Sequence, residues 1–451
     1  MTTNTARHFS DFIAGTSDDL PAQVGDRMSE VILDIIAAAI AGSAAPELNA
    51  WTSGSHPPGS SPVWGRGFRS DPGSATMMNG TAGTVLEVDE GNKFARGHPG
   101  IHVVPAALAV AAENPLPGRK LLSATAIGYE VASRIGAASS LRPAVHPHGT
   151  WGTCGAAAAV ARIRGLPRDK VISVVEVASG LALATSFTSA LNGATIRNAY
   201  AGIAGRLGIL AADLAVAGFT GESDAFEIMW GHVLSSNWDS AKAVDGLGTR
   251  WDVEGSYVKP WPCCRWTHAA IQASLDLKAE HQIEANSIRK IRVRTYADAA
   301  RLTEAAPHNE LAARFSIPWA VAVALINDDI AVEAFRGPAL TDTRVIQLAG
   351  RITVEEDPEL TNLGPALRPA IVDIIGAHGP IRTKRADAVL GDYPLSLSRH
   401  EKLTKYRNLI QLEYPTDWTD ELIHLVLTLA DSSTERLTKH LAIAPLKRAQ
   451  Y

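Results

Sequence analysis

Apolar positions recur at helical spacing over most of this chain. Val24, Met28, Val31, Ile32, Ile35, Ile36 and Ile40 follow one another three or four residues apart until Gly42. Ser17, Asp18, Asp19 and Pro21 precede them as a helix start, so the pattern predicts an amphipathic first helix. Similar runs lie near 102–113, 119–137, 152–164, 168–189 and 198–218, separated by PLPG, RPAVHPHG and RGLPRD. These segments are apolar on more than one face and must bury themselves against each other, which predicts a bundle-like helical domain over the first part of the chain. Ser43 to Ser74, rich in Gly, Ser and Pro, reads as an extended connection with one short strand at Val63-Trp64.

The period changes after His268. SIRKIRVRTYA alternates apolar and polar residues, RITVEED repeats that alternation from Arg351, and AIVDIIGAHGPIRTKRADA reads as a hairpin turning at His378-Gly379. Helical runs near 317–327 and 343–349 lie between these strands. From Leu397 the pattern is helical again, including Thr419 to His440. The expected fold is therefore two-domain: a large all-α helical domain from residues 1–268 with 396–451, and a smaller α+β domain from 269–395.

Composition narrows the setting. With 46% hydrophobic and 20% charged residues in 451, the chain can bury a large core. A net charge of -5 and a pI near 6.3 supply no basic field for a phosphate backbone, so no nucleic acid is expected as a partner. The three cysteines, Cys154, Cys263 and Cys264, form no Cys-x-x-Cys pair and imply no zinc or iron–sulfur framework. They fit a reduced, cytoplasmic setting. The N-terminal stretch lacks an uninterrupted apolar segment and the run Val31 to Gly42 is broken by Asp34, so no membrane association is expected.

Polar chemistry is concentrated in four places. Asn79 to Pro105 puts Glu87, Asp89, Glu90, Lys93, Arg96 and His98 on a segment that Gly91, Gly97, Pro99 and Gly100 keep from being one helix. The functional reading is a site loop in which His98 reaches a substrate; the bland reading is a solvated turn. In AVHPHGTWGT, His146 and His148 flank a proline before a helix. Such a pair ligates metal only with a third ligand, and none follows at helical spacing, so an anion-facing role is favoured. Arg197 and Tyr200 precede a glycine- and alanine-rich helix start, and YVKPWPCCRWTH gathers Lys259, Arg265 and His268 at the predicted domain boundary. Histidines with cations and no evident nucleophile suit proton transfer on an anionic substrate. No GxSxG elbow, P-loop or strand-linked GxGxxG is present.

In order along the chain, NGTAGTVLEVDE, the HPG turn, HPHGTWGT, GATIRNAYAG, KPWPCCRWTH, ARFSIPW and KYRNL resemble the MmgE/PrpD family. The resemblance implies a site between a helical and an α+β domain, no metal, no organic cofactor and a homodimer. It places His98, His268 and His146 at family histidines. The sequence departs from the family pattern where Gly91 replaces a threonine, Thr84 a histidine, Arg197 a lysine and Trp319 a tyrosine. These departures weigh against dehydration or decarboxylation and favour an epimerase of the iminodisuccinate type, an isomerase acting on a small polycarboxylate. His98 and His268 are then the acid/base pair on opposite faces of the substrate carbon. Arg197, Arg265 and Lys259 hold carboxylates, with Tyr200, Glu87 and Asp89 completing the binding set. The alternatives are a lyase resembling 2-methylcitrate dehydratase or cis-aconitate decarboxylase, and a non-catalytic polycarboxylate-binding protein.

Overall fold

A computed structural model describes residues 4–327, 330–364, 367–376 and 380–445. The predicted first helix runs Ala22–Gly42, with nearly every position from Val31 onward buried. Against it pack Pro72–Val85, Pro99–Ala111 and Gly118–Ala138; Gly152–Arg164 and Tyr200–Ala217 pack onto these, and Arg168–Gly180 packs onto the last two. Small residues let these helices approach closely. A Cβ on Gly80 would lie 2.6 Å from the Cα of Gly202, so the helices that carry them meet backbone to backbone. The segment Thr195–Ala217 is long and apolar enough to cross a bilayer, and here it packs against Pro72–Val85 and Gly152–Arg164.

The second hydrophobic cluster is built on a four-stranded sheet in the order Ile381–Ala386, Ala370–Gly376, Ile288–Thr295, Ile352–Glu356. The first two pairings are antiparallel and the last is parallel. Along Ile288–Thr295, Ile291 and Val293 turn into the core while Arg292 and Arg294 reach Asp373 on the other face. The helices His268–His281 and Ile317–Ile326 cover the apolar face. The latter begins with Ser316, whose hydroxyl accepts from Trp319 N at 2.9 Å, and Pro318 sits in its first turn.

Several sequence expectations need correction. Thr5–Gly15 is a further helix, capped by the Asn4 side chain accepting from Arg7 N. The connection after Gly42 contains the helix Pro46–Thr52 and a hairpin of Ser61–Val63 with Phe68–Ser70. The run 168–189 ends as a helix at Gly180, and Thr188–Leu191 is a separate turn of helix. The late run is two helices, Thr416–Leu427 and Thr434–His440, because Ser433 caps a new start at Glu435. The turn expected at His378-Gly379 lies outside the described residues.

Candidate active site

The loop between the helices Pro72–Val85 and Pro99–Ala111 carries the polar stretch, and it is buried rather than solvated: Glu87, Asp89 and Glu90 are each at most 1% exposed. Its backbone is bent sharply. Glu87 and Arg96 both adopt left-handed conformations, at φ 53° and 54°, which non-glycine residues hold only when their surroundings require it. The requirement at Glu87 is electrostatic. One carboxylate oxygen pairs with Arg197 Nη1, and Lys259 Nζ donates to the Glu87 carbonyl at 2.8 Å and lies 3.4 Å from the other oxygen.

Lys259 also lies 3.6 Å from Asp89, whose second oxygen is 3.0 Å from His98 Nδ1. Burial alone would raise the Asp89 carboxyl, but His98 and Lys259 outweigh it and hold this group well below the usual carboxylate range. Burial likewise opposes a charge on Lys259, yet Glu87 and Asp89 lift it above the ordinary lysine value. Among the described residues no cation pairs with Glu90. Burial pushes it up to about 8, with the hydrogen bond from Tyr129 only partly offsetting, and its other oxygen accepts from Gly100 N at 3.2 Å. Gly100 is needed there, since a Cβ would come 2.6 Å from that oxygen.

His98 stands at the N-terminus of Pro99–Ala111, and its Nδ1 faces two acceptors, Asp89 and the Glu90 carbonyl at 2.6 Å. Nδ1 therefore carries hydrogen and Nε2 is left for exchange with a ligand. One more histidine ring packs on it, and two others pack on that one. His148 meets His98, His102 and His146 edge-on at 5.0, 5.2 and 4.8 Å between centroids. Both ring nitrogens of His148 are buried without a hydrogen-bond partner. Burial, reinforced by Arg197, keeps His146 and His148 well below the usual histidine value. His102 is neutral for the same reason, lowered to about 4. Its Nδ1–H donates to the His98 carbonyl at 2.8 Å and Nε2 accepts from Gly149 N at 3.4 Å, so it ties the two histidine-bearing turns together.

The fold thus gathers Glu87, Asp89, His98, His146, Arg197 and Lys259 from stretches that sequence reading had kept apart. Tyr200 joins less directly: its ring lies 6.1 Å from His146, and its hydroxyl bonds Ser189. Arg265 is buried and pairs with Asp392 through Nη2, leaving Nε and Nη1 without a hydrogen-bond partner among the described residues. His268 has no described hydrogen bond or ring contact with the four histidines. It packs on Trp261, its Nε2 lies 3.3 Å from the Cys263 carbonyl, and burial beside Arg265 and Lys259 holds it well below the usual histidine value.

Residues that sequence reasoning left out of the site are His148, His102 and Arg314. Arg314 is fully buried, donates to the carbonyls of Leu86 and Pro262, and keeps Nε and Nη2 unpaired. The ARFSIPW motif was its available signal. The missing third ligand for a metal is also supplied by folding: Asp89, His98 and His148 offer atoms all within 4.8 Å of one another. Lys259 and Arg197 already furnish the positive charge that a bound cation would bring, so proton handling suits this set better than metal ligation.

A cleft of about 370 Å³ adjoins this cluster. Its wall includes Trp151 and Phe187, which pack against His102 and His146 at 5.3 and 5.2 Å. Residues from both hydrophobic clusters line it, Ala95 and Trp151 from the first and Tyr296 from the second.

The profile of the MmgE/PrpD N-terminal domain matches residues 7–238, and that of the MmgE/PrpD C-terminal domain matches 261–431. A cis-aconitate decarboxylase of Aspergillus terreus is 26% identical over 464 residues, covering 95% of this chain and 92% of the relative. Another, from Aspergillus terreus strain NIH 2624 / FGSC A1156, is 26% identical over 447 residues, covering 92% and 90%. The cis-aconitate decarboxylase-like protein oryM of Aspergillus oryzae is 24% identical over 382 residues, covering 77% and 78%. These relatives give no support to the epimerase that the substituted positions favoured; they point to lyase chemistry.

Proposed function

The chain belongs to the MmgE/PrpD family, and from that premise we propose that it is a cofactor-independent lyase that decarboxylates an unsaturated polycarboxylate of the cis-aconitate kind. The observation that carries this reading is the Asp89–His98 pair, a histidine whose Nδ1 is committed to protein acceptors while Nε2 remains to deliver a proton.

The chemistry needs little else. In a substrate whose departing carboxylate sits on a carbon next to a C=C bond, the C–CO2 bond breaks and its electron pair moves into the double bond. The displaced pair becomes an enolate-like charge on the carboxylate at the far end. One proton then adds to the far carbon, so carbon dioxide leaves and a methylidene dicarboxylate remains. His98 Nε2–H supplies that proton in this reading, and Asp89 and the Glu90 carbonyl hold the ring in position. Unpaired NH groups on Arg197, Arg265 and Arg314 receive the substrate carboxylates and the developing charge, in a site where burial strengthens each interaction. The lysine-to-arginine departure at Arg197 therefore keeps a cation, and its Nε is one of the unpaired groups.

Purified protein incubated with cis-aconitate in deuterated buffer and followed by proton NMR tests the proposal. Carbon dioxide release with one deuterium in the product supports it, and His98→Asn is expected to lower turnover about a hundredfold or more. Deuterium exchange into cis-aconitate without carbon dioxide would show proton abstraction in place of decarboxylation and refute the lyase, and no reaction with cis-aconitate would sink the proposed substrate.

A further inference from the structure

The cleft beside the histidine cluster has a character that a small tricarboxylate does not explain. Arg96, Arg142, Arg301 and Arg368 line it, against Asp298 as the single acid among its described lining residues. Two of these arginines are committed to the protein. Arg96 donates to the carbonyls of Gly136 and Ser139, and Arg142 to those of Val233 and His232. Arg301 is exposed, its guanidinium 4.7 Å over the Phe187 ring, and Arg368 is hydrogen-bonded to Tyr257. Both leave donors for an anion.

Two further donors in the same wall have no partner. Tyr296 is 8% exposed and Trp151 fully buried, yet neither the Tyr296 hydroxyl nor the Trp151 indole N–H makes a hydrogen bond among the described residues. A buried, unpaired donor is costly, and a bound acceptor would relieve that cost. Apart from Ser140 and Thr361, the rest of the described wall is apolar and aromatic. Trp266 stacks on Phe187 at 5.1 Å, and Phe187 stacks on His146 at 5.2 Å, so a row of flat rings leads from the cleft to the histidines.

We propose that this cleft is a second anion subsite, which receives an apolar or aromatic arm and an attached carboxylate, so that the preferred substrate is a substituted polycarboxylate bulkier than cis-aconitate. Arg301 and Arg368 take the carboxylate, Tyr296 and Trp151 complete its hydrogen bonds, and the Trp266–Phe187 face packs the arm. The assignment of the occupant as a substrate rests on the lyase reading; the binding itself does not.

The test is therefore a binding measurement on the full chain with two unreactive dicarboxylates, succinate and phenylsuccinate, by titration calorimetry. The subsite predicts phenylsuccinate tighter by about tenfold, from aromatic packing together with apolar burial. Arg301→Gln, at an exposed position that leaves the cores untouched, is expected to weaken phenylsuccinate about tenfold through loss of a charge-assisted bond. Tyr296→Phe, which removes only the hydroxyl, is expected to weaken it severalfold. Equal affinity for the two acids, or an Arg301→Gln protein that binds phenylsuccinate as the parent does, overturns the subsite. Decarboxylation of cis-aconitate without any phenylsuccinate preference would leave the lyase standing and the subsite refuted. Preference without decarboxylation would do the reverse.

Discussion

Replacing Glu90 by glutamine removes one proton-binding group from the centre of the helical core and leaves its shape. The carboxyl is fully buried with Asp34 and Asp89 nearby, which outweighs the hydrogen bonds it accepts from Tyr129 and Gly100 and raises its value from 4.5 to about 8. The folded chain therefore holds a proton that the unfolded chain releases above the ordinary glutamate range. That contribution to stability is complete below pH 4.5 and is lost as the pH rises through about 8. At about 1.4 kcal/mol per pH unit the full span is an upper bound of about 5 kcal/mol, of which about 4 falls between pH 5 and 9. Urea unfolding of the parent and of Glu90→Gln across that range isolates the term, because every other titrating group is common to both. The parent is expected to lose stability relative to the variant as the pH rises. Parallel profiles would refute a protonated Glu90 and would mean that the carboxylate is ionised in the core.

Lys405→Met should destabilise the fold by about 3–5 kcal/mol, since Lys405 Nζ donates to Asp34 at 2.6 Å and its loss leaves that buried carboxylate alone; adding Asp34→Asn should restore part of the drop in Tm, and no restoration would contradict the pairing. Gly152→Ala would put a Cβ 2.2 Å from the His102 ring, so about 1–3 kcal/mol of stability should go, together with turnover, because His102 joins the His98 and Gly149 turns. A less stable Gly152→Ala protein with undiminished kcat would show that this tie does not position the site.

The long periodic helices were legible because their burial depends on spacing alone: Val24 to Ile40 can face a core only as a helix. The strand Ile288–Thr295 was equally plain, since Ile291 and Val293 alternate with arginines that the opposite face pairs with Asp373. Shorter elements were hidden where polar caps decide them. Ser433 looks like any other loop serine until its hydroxyl accepts from Glu435 N and starts a new helix. At the site, residue types could be read but partnerships could not. Lys259 and Arg197 looked like free cations for a substrate, yet each is engaged by Glu87, a contact across more than a hundred residues that no local spacing encodes. His148 lacked the third ligand that a metal pair needs, and only folding brings Asp89 and His98 to it.

The charge arrangement bears on how the proposed site could be buried and still accept an anion. Glu87 and Asp89 carry two negative charges and Arg197 and Lys259 two positive ones, all at most 1% exposed, so the cluster is balanced before any ligand arrives. A balanced cluster avoids the desolvation cost of isolated buried charges. It also means that a substrate carboxylate cannot simply take over Lys259, which would leave Glu87 and Asp89 uncompensated. The groups open to it are the guanidinium edges that the internal pairs do not use, on Arg197, Arg265 and Arg314. An imidazolium at His98 would tip the balance to positive and favour the anion; delivering its proton would remove that excess just as one carboxylate leaves as neutral carbon dioxide. In the proposed reaction the electrostatic reason for product release would lie in the proton transfer itself, with no movement of Glu87 or Lys259 required.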